Sequence, residues 1–265
     1  MRQVYDTPDG LEVALQLSVG DIEVDVRDTT TTTVEIDGYD REAPPVVRCD
    51  PAPGGGHRLT IEHKVKRKWF AIGRGLDVRL LVPPGTRIDG SGGATELEAS
   101  GTLGSLSFKT GSGDLRFDDV TGDVHLTCAS GDIEGRSVGG HLTFKGASGD
   151  IDVGTIGAGA TVRSASGDIR IGKVDGATII TVGSGDVALR QVGPGSVNVR
   201  AISGDVEVGV REGLGVWMDV SSTSGDVRSS LEAGRRDDVD PAPPELELTL
   251  NTVAGDITIG RGGVA

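Results

Sequence analysis

Large side chains are scarce in this chain. Aromatic residues make up 3% of its 265 residues, which excludes a core filled by rings. Cysteine is nearly absent, and Cys49 and Cys128 are too few for a disulfide framework. No apolar run approaches the roughly 18–20 residues of a membrane-spanning helix. Residues 1–20 lack a basic start followed by an apolar stretch, so no signal peptide is expected. A cytoplasmic location follows, with a surface location left open. Basic residues are outnumbered: 26 Lys and Arg stand against 40 Asp and Glu, for a formal net charge of -14. That balance excludes a general nucleic-acid binder, which needs a basic footprint, and it opposes contact with anionic membranes. Histidine is limited to His57, His63, His125 and His141. No Cys/His cluster has metal spacing, and no Walker-type phosphate loop is present.

Glycine is in excess, at 43 residues against a usual share of roughly 7%, and it recurs with a repeat. The mark is Gly-Asp followed by an aliphatic residue, usually preceded by Ser. Its aspartates are Asp114, Asp132, Asp150, Asp168, Asp186, Asp205, Asp226 and Asp256, and the first four intervals are 18 residues each. Glu96 stands 18 before Asp114 as a degenerate ninth copy. A fixed short period implies stacked units, each in contact with its neighbours.

The columns of the repeat show what each unit is. Eight and six residues before each Asp the positions are mostly apolar, as in Leu106 and Phe108, Leu142 and Phe144, or Val197 and Val199. Directly after the Asp stand Leu115, Ile133, Ile151, Ile169, Val187, Val206, Val227 and Ile257. Alternation with period two is the signature of a strand with one buried face. Each unit therefore reads as strand, Ser-Gly-Asp corner, strand, Gly-rich turn. The expected fold is all-β: a single-stranded parallel β-solenoid (β-helix) of about nine coils of about 18 residues. Its hand is left open. The array covers residues 86–265 and stands behind an N-terminal β-rich cap, residues 1–85. Residues 1–26 carry the same template around Gly20-Asp21. The Pro- and charge-rich stretch 232–245 reads as a mobile surface loop.

Within a coil, the corner Gly permits positive φ and the corner Asp accepts a neighbouring main-chain N–H. By parity the preceding Ser faces inward and forms a hydroxyl ladder. Carboxylates stacked about 4.8 Å apart repel by roughly 0.9 kcal/mol per pair in water, which cations would relieve. Calcium-binding nonapeptide rolls, however, place one residue between Gly and Asp, and here the two are adjacent. Turn structure is the expected role, no cofactor is called for, and a calcium column is the alternative. Cys128 takes a small inward position and reads as a packed thiol.

Two surface features stand out as interaction candidates. One is the basic and aromatic run Lys64, Lys66, Arg67, Lys68, Trp69 and Phe70 within residues 63–70, suited to an anionic surface or partner. The other is an outward ladder five residues before the corner, where Lys109, Lys145, Arg163 and Arg200 recur. The bland reading of that ladder is a solvated face whose charges prevent lateral aggregation. The other reading is a polar stripe for a glycan or extended polymer.

The repeated Ser-Gly-Asp-Ile, the opening Leu17-Ser18-Val19-Gly20-Asp21-Ile22, the closing Ala254-Gly255-Asp256-Ile257 and the segment Val82-Pro83-Pro84-Gly85 resemble the bacterial adhesin-like β-strand-repeat family, a domain of unknown function. The likeness is to its actinomycete type, which has no secretion signal. It implies a β-solenoid and no known catalytic residue. The combined expectation is a non-enzymatic binding or scaffold module with an unknown protein or polymer partner, no nucleic acid and no membrane insertion, as a monomer or weak homo-oligomer. The alternatives are a cell-surface adhesin for glycan or cell wall, and a polymer-acting hydrolase or lyase.

Overall fold

The computed structural model describes residues 1–63, 75–231 and 244–262. The chain is a β-solenoid, and no helix occurs among the described residues. It divides into two compact units, Met1–Gly139 and Gly140–Ala265. Both are built from the predicted rung, here named by its corner residue.

The Asp168 rung shows how the template becomes structure. Its strands are Gly159–Ser166 and Ile169–Val174. Ala160, Val162, Ile169, Ile171 and Val174 are buried, while Arg163 and Arg170 between them are exposed. Like stacks on like: Ile169 lies between Ile151 and Val187, and Ile171 between Val153 and Leu189. Each fully buried aliphatic contributes about 1.5–3 kcal/mol, so small side chains suffice because every rung repeats them.

At the corner the glycine is a steric requirement. Gly185 has φ of 134° and Gly204 of 131°. A Cβ at Gly185 would fall on the carbonyl oxygen of Gly167, and one at Gly204 on that of Gly185. The inward Ser ladder does not form. Ser112, Ser130, Ser148, Ser166, Ser184 and Ser203 are all exposed, because the chain leaves the strand's alternation before it reaches the glycine. The residue two before each Ser faces inward instead. Thr110 and Ser164 donate from that position to the carbonyls of Ser112 (2.7 Å) and Ser166 (2.9 Å). Cys128 is there too, fully buried, with Sγ 3.6 Å from the Gly113 carbonyl. Burial raises its thiol pKa, as expected of a packed thiol.

Rungs do not stack in the order of the chain. In the second unit the Asp150, Asp168, Asp186 and Asp205 rungs follow in sequence. The last strands, Leu246–Ala254 and Ile257–Arg261, then pair with the Asp205 rung on one side and with Val216–Ser224 and Val227–Ser229 on the other. The Asp256 rung thus lies between those of Asp205 and Asp226. The first unit has a similar exchange. Leu11–Leu17 and Val19–Val26 form a true rung, held between His57–His63 with Leu76–Val82 and Arg87–Ser91 with Ala94–Leu103. Antiparallel strands complete this unit: Val46–Pro51 on His57–His63, Thr31–Asp37 on Leu76–Val82, and Arg2–Asp6 on Thr31–Asp37.

Candidate binding face

The corner aspartates form a ladder of side chain to main chain. The N–H of Asp132 donates to Oδ1 of Asp114 at 3.0 Å. In the second unit Asp168 donates to Asp150 (2.9 Å), Asp186 to Asp168 (3.0 Å), Asp205 to Asp186 (2.8 Å), Asp256 to Asp205 (2.8 Å) and Asp226 to Asp256 (2.8 Å). Several second carboxylate oxygens meet arginine: Arg116 with Asp114 at 2.9 Å, Arg170 with Asp168 at 2.6 Å, and Arg228 with Asp226 at 2.7 Å and Asp256 at 3.1 Å. Protein donors thereby offset the repulsion that stacking creates. No group of three or more His, Cys, Asp or Glu among the described residues has the arrangement to hold a metal ion.

The Asp256 carboxylate makes this end of the ladder acid-sensitive. The N–H of Asp226 is the main cause lowering the Asp256 carboxyl below its usual value; desolvation opposes it and Arg228 adds to it. A depressed carboxylate gives stability that is complete above its unfolded pKa and is lost as pH falls through the folded one. The melting temperature is therefore expected to drop below about pH 4. Asp256→Asn, which has no proton to gain there, should lose less in that window. Parallel acid profiles by circular dichroism would contradict this.

The outward ladder behaves differently. Lys145 stands in register with Arg163, Arg163 with Thr181, Thr181 with Arg200, and Arg200 with Asn251. Successive positions are about 4.8 Å apart. All three cations are exposed, and none makes an ion pair among the described residues. Arg170, Arg211 and Arg228 of the same unit are all paired. The two flanking outward columns contain no acid from the Asp150 rung through the Asp256 rung. They hold Thr143, Thr161 and Asn198 on one side, and on the other Ala147, Ala165 and Ile202. Lys109 belongs to the first unit, exposed between Ser91 and Thr127. Lys64, Lys66, Arg67, Lys68, Trp69 and Phe70 lie outside the described residues, as do residues 232–243 of the expected loop.

Apolar side chains on this face escaped the sequence reading. Ile179, Ile202 and Val253 are 46%, 64% and 52% exposed, which makes the face amphiphilic rather than merely basic. Ile202 and Val253 occupy adjacent rungs, between pairs in register on either side. The signal for Ile202 and Val253 was an aliphatic residue at outward parity where most other units have Ala or Gly, and for Ile179 one where the other units have polar residues. The neighbour of Arg200 is also not the one that chain order suggests. It is Asn251 rather than Ser221, because the Asp256 rung intervenes.

Among the histidines, His125 is exposed and His141 Nε2 meets the Thr161 hydroxyl at 3.0 Å.

A parallel β-solenoid of short Ser-Gly-Asp rungs, with one unpaired basic ladder on an acidic chain, defines the class. The chain belongs to the Toastrack DUF4097 family, whose model matches residues 13–260. It is similar to three solved structures. A candidate adhesin from Bacteroides fragilis shares 13% identity, with 98% of this chain and 96% of that one covered and a TM-score of 0.43. A candidate adhesin from Parabacteroides distasonis shares 14%, with the same coverages and a TM-score of 0.46. A candidate lipid-binding protein from the same organism shares 15%, again with the same coverages, at a TM-score of 0.44. No curated protein matches this sequence.

Proposed function

We propose that the protein is a non-enzymatic binding module whose second unit takes an extended anionic glycan along the Lys145, Arg163 and Arg200 ladder. The observation that carries this reading is the contrast in pairing. On a chain of net charge -14, these cations stand without ion pairs among the described residues, between two outward columns that hold no acid, while Arg170 and Arg228 are used internally. Lys145 and Arg163 stand on adjacent rungs, about 4.8 Å apart, and Arg200 lies two rungs beyond Arg163 with Thr181 between them; their mutual repulsion weakens the free protein slightly and is relieved by an anion. The row runs along the stack of rungs, so it suits a polymer better than a compact ligand. With so few aromatics, sugar recognition here would rest on charge and hydroxyl contacts instead of ring stacking.

The test is calorimetry with a soluble polyuronate, with neutral dextran as control. Polyuronate is expected to bind, more weakly as salt rises. Each exposed pair contributes up to about 1 kcal/mol. The combined Lys145→Gln, Arg163→Gln, Arg200→Gln variant should therefore bind about tenfold to a hundredfold more weakly. Arg228→Gln should bind as the parent does. Equal binding of dextran, or an unaffected triple variant, would remove the ladder from the site.

A further inference from the structure

One outermost rung of the second unit has a strand partner on one side only among the described residues. Val216–Ser224 pairs with Leu246–Ala254 on one side, and no described strand pairs with its other edge. The exposure of its inward column follows from that. Met218 is 39% exposed, whereas Leu248, beside it in register and covered on both faces, is 0% exposed. Val227 is 47% exposed against 0% for Ile257. Trp217, on the outward parity, is 50% exposed.

Sheets normally guard such edges with short strands, charge or proline. The outer strands of the first unit do so. Arg2–Asp6 is short and charged at both ends, and Val46–Pro51 carries Arg48, Asp50 and a terminal proline. Val216–Ser224 is nine residues long, and Asp219 is its only charge. Elsewhere in the second unit, what covers an inward column is another rung of the same template.

From this we infer that the chain forms a two-fold dimer in which Val216–Ser224 pairs antiparallel with its own copy about Val220. The register has no clash of charge or parity. Asp219 faces Ser221 of the copy, never the other Asp219. Met218 faces Ser222 and Val220 faces Val220, so inward residues meet inward residues. Trp217 faces Thr223 on the outer surface. An edge that pairs with itself is consumed by one partner, so the assembly closes at two copies. The inference is independent of the glycan reading.

Sedimentation velocity of the full chain tests it. The parent is expected to run as a dimer of the 27.2 kDa chain at tens of micromolar. Ser221→Asp sets two carboxylates against each other twice across the two-fold and should give monomer. Ser221→Lys sets an ammonium against Asp219 and should keep or tighten the dimer. Ser221 is exposed and its replacement loses only a hydrogen bond to Asn251, so both variants should stay folded, with the parent's circular dichroism spectrum. A parent that stays monomeric would overturn the inference. So would a dimer indifferent to both substitutions, or one that Ser221→Lys breaks as readily as Ser221→Asp does.

Discussion

Ile169→Asp will unfold several rungs of the second unit together. Ile169 is fully buried and stacks in register on Ile151 and Val187, which are 1% exposed each. Losing its apolar burial costs about 1.5–3 kcal/mol. A carboxylate with no partner in that column adds several kcal/mol more. Together these reach much of the roughly 5–15 kcal/mol that holds a domain folded. Because rungs are stabilised by their neighbours, the loss should spread through adjacent coils. Circular dichroism should show a melting temperature lower by at least about 10 °C, or no cooperative transition. Ile169→Val, which keeps the column apolar, should cost only about 0.5–1.5 kcal/mol. A melt of Ile169→Asp that overlays the parent would mean this column does not face the core.

Gly185→Ala will be nearly as damaging, although it adds only one methyl group. Gly185 is at φ of 134°, where a residue with a side chain carries roughly 1–3 kcal/mol of strain. Its Cβ would also be driven into the Gly167 carbonyl oxygen. That oxygen belongs to the backbone of a paired rung, so it cannot turn aside as a side chain would. A combined loss of at least about 3 kcal/mol is expected in denaturant melts. Gly213→Ala separates the two contributions. Gly213 also has positive φ, 82°, but a Cβ there meets nothing within 4 Å. It should cost only about 1–2 kcal/mol. Equal losses at both positions would mean that contact between rungs does not select the corner glycine.

The repeat was legible because each column is a physical constraint written many times. Ile151, Ile169 and Val187 each sit one residue after an Asp, and all three are core. The corner aspartates were legible as turn acceptors for the same reason, and their Oδ1 atoms do take the next rung's N–H. The corner serines misled because period-two parity fails at the last residue of the strand. Ser166 and Ser184 end their strands and still pair in register, yet both are exposed. Arg163 and Arg200 could be placed outward from parity alone. Their freedom from ion pairs could not, since it depends on which side chains lie within reach across rungs. Rung order was hidden as well. The spacing gives each coil its length, but it does not say which coil each one stacks on.

The displaced Asp256 rung sets a problem of timing. On the ribosome, Val216–Ser229 emerges before Leu246–Arg261, yet its strand partners in the finished fold are in that later segment. Meanwhile the Asp205 rung presents a vacant parallel edge, and Ser224-Gly225-Asp226-Val227 matches its template. A nascent chain can therefore dock the wrong coil in simple sequence order. The correct one must then displace it, closing a long loop as it does so. Folding at this end would then proceed by strand exchange, and its slow step would be the release of a near-native mistake.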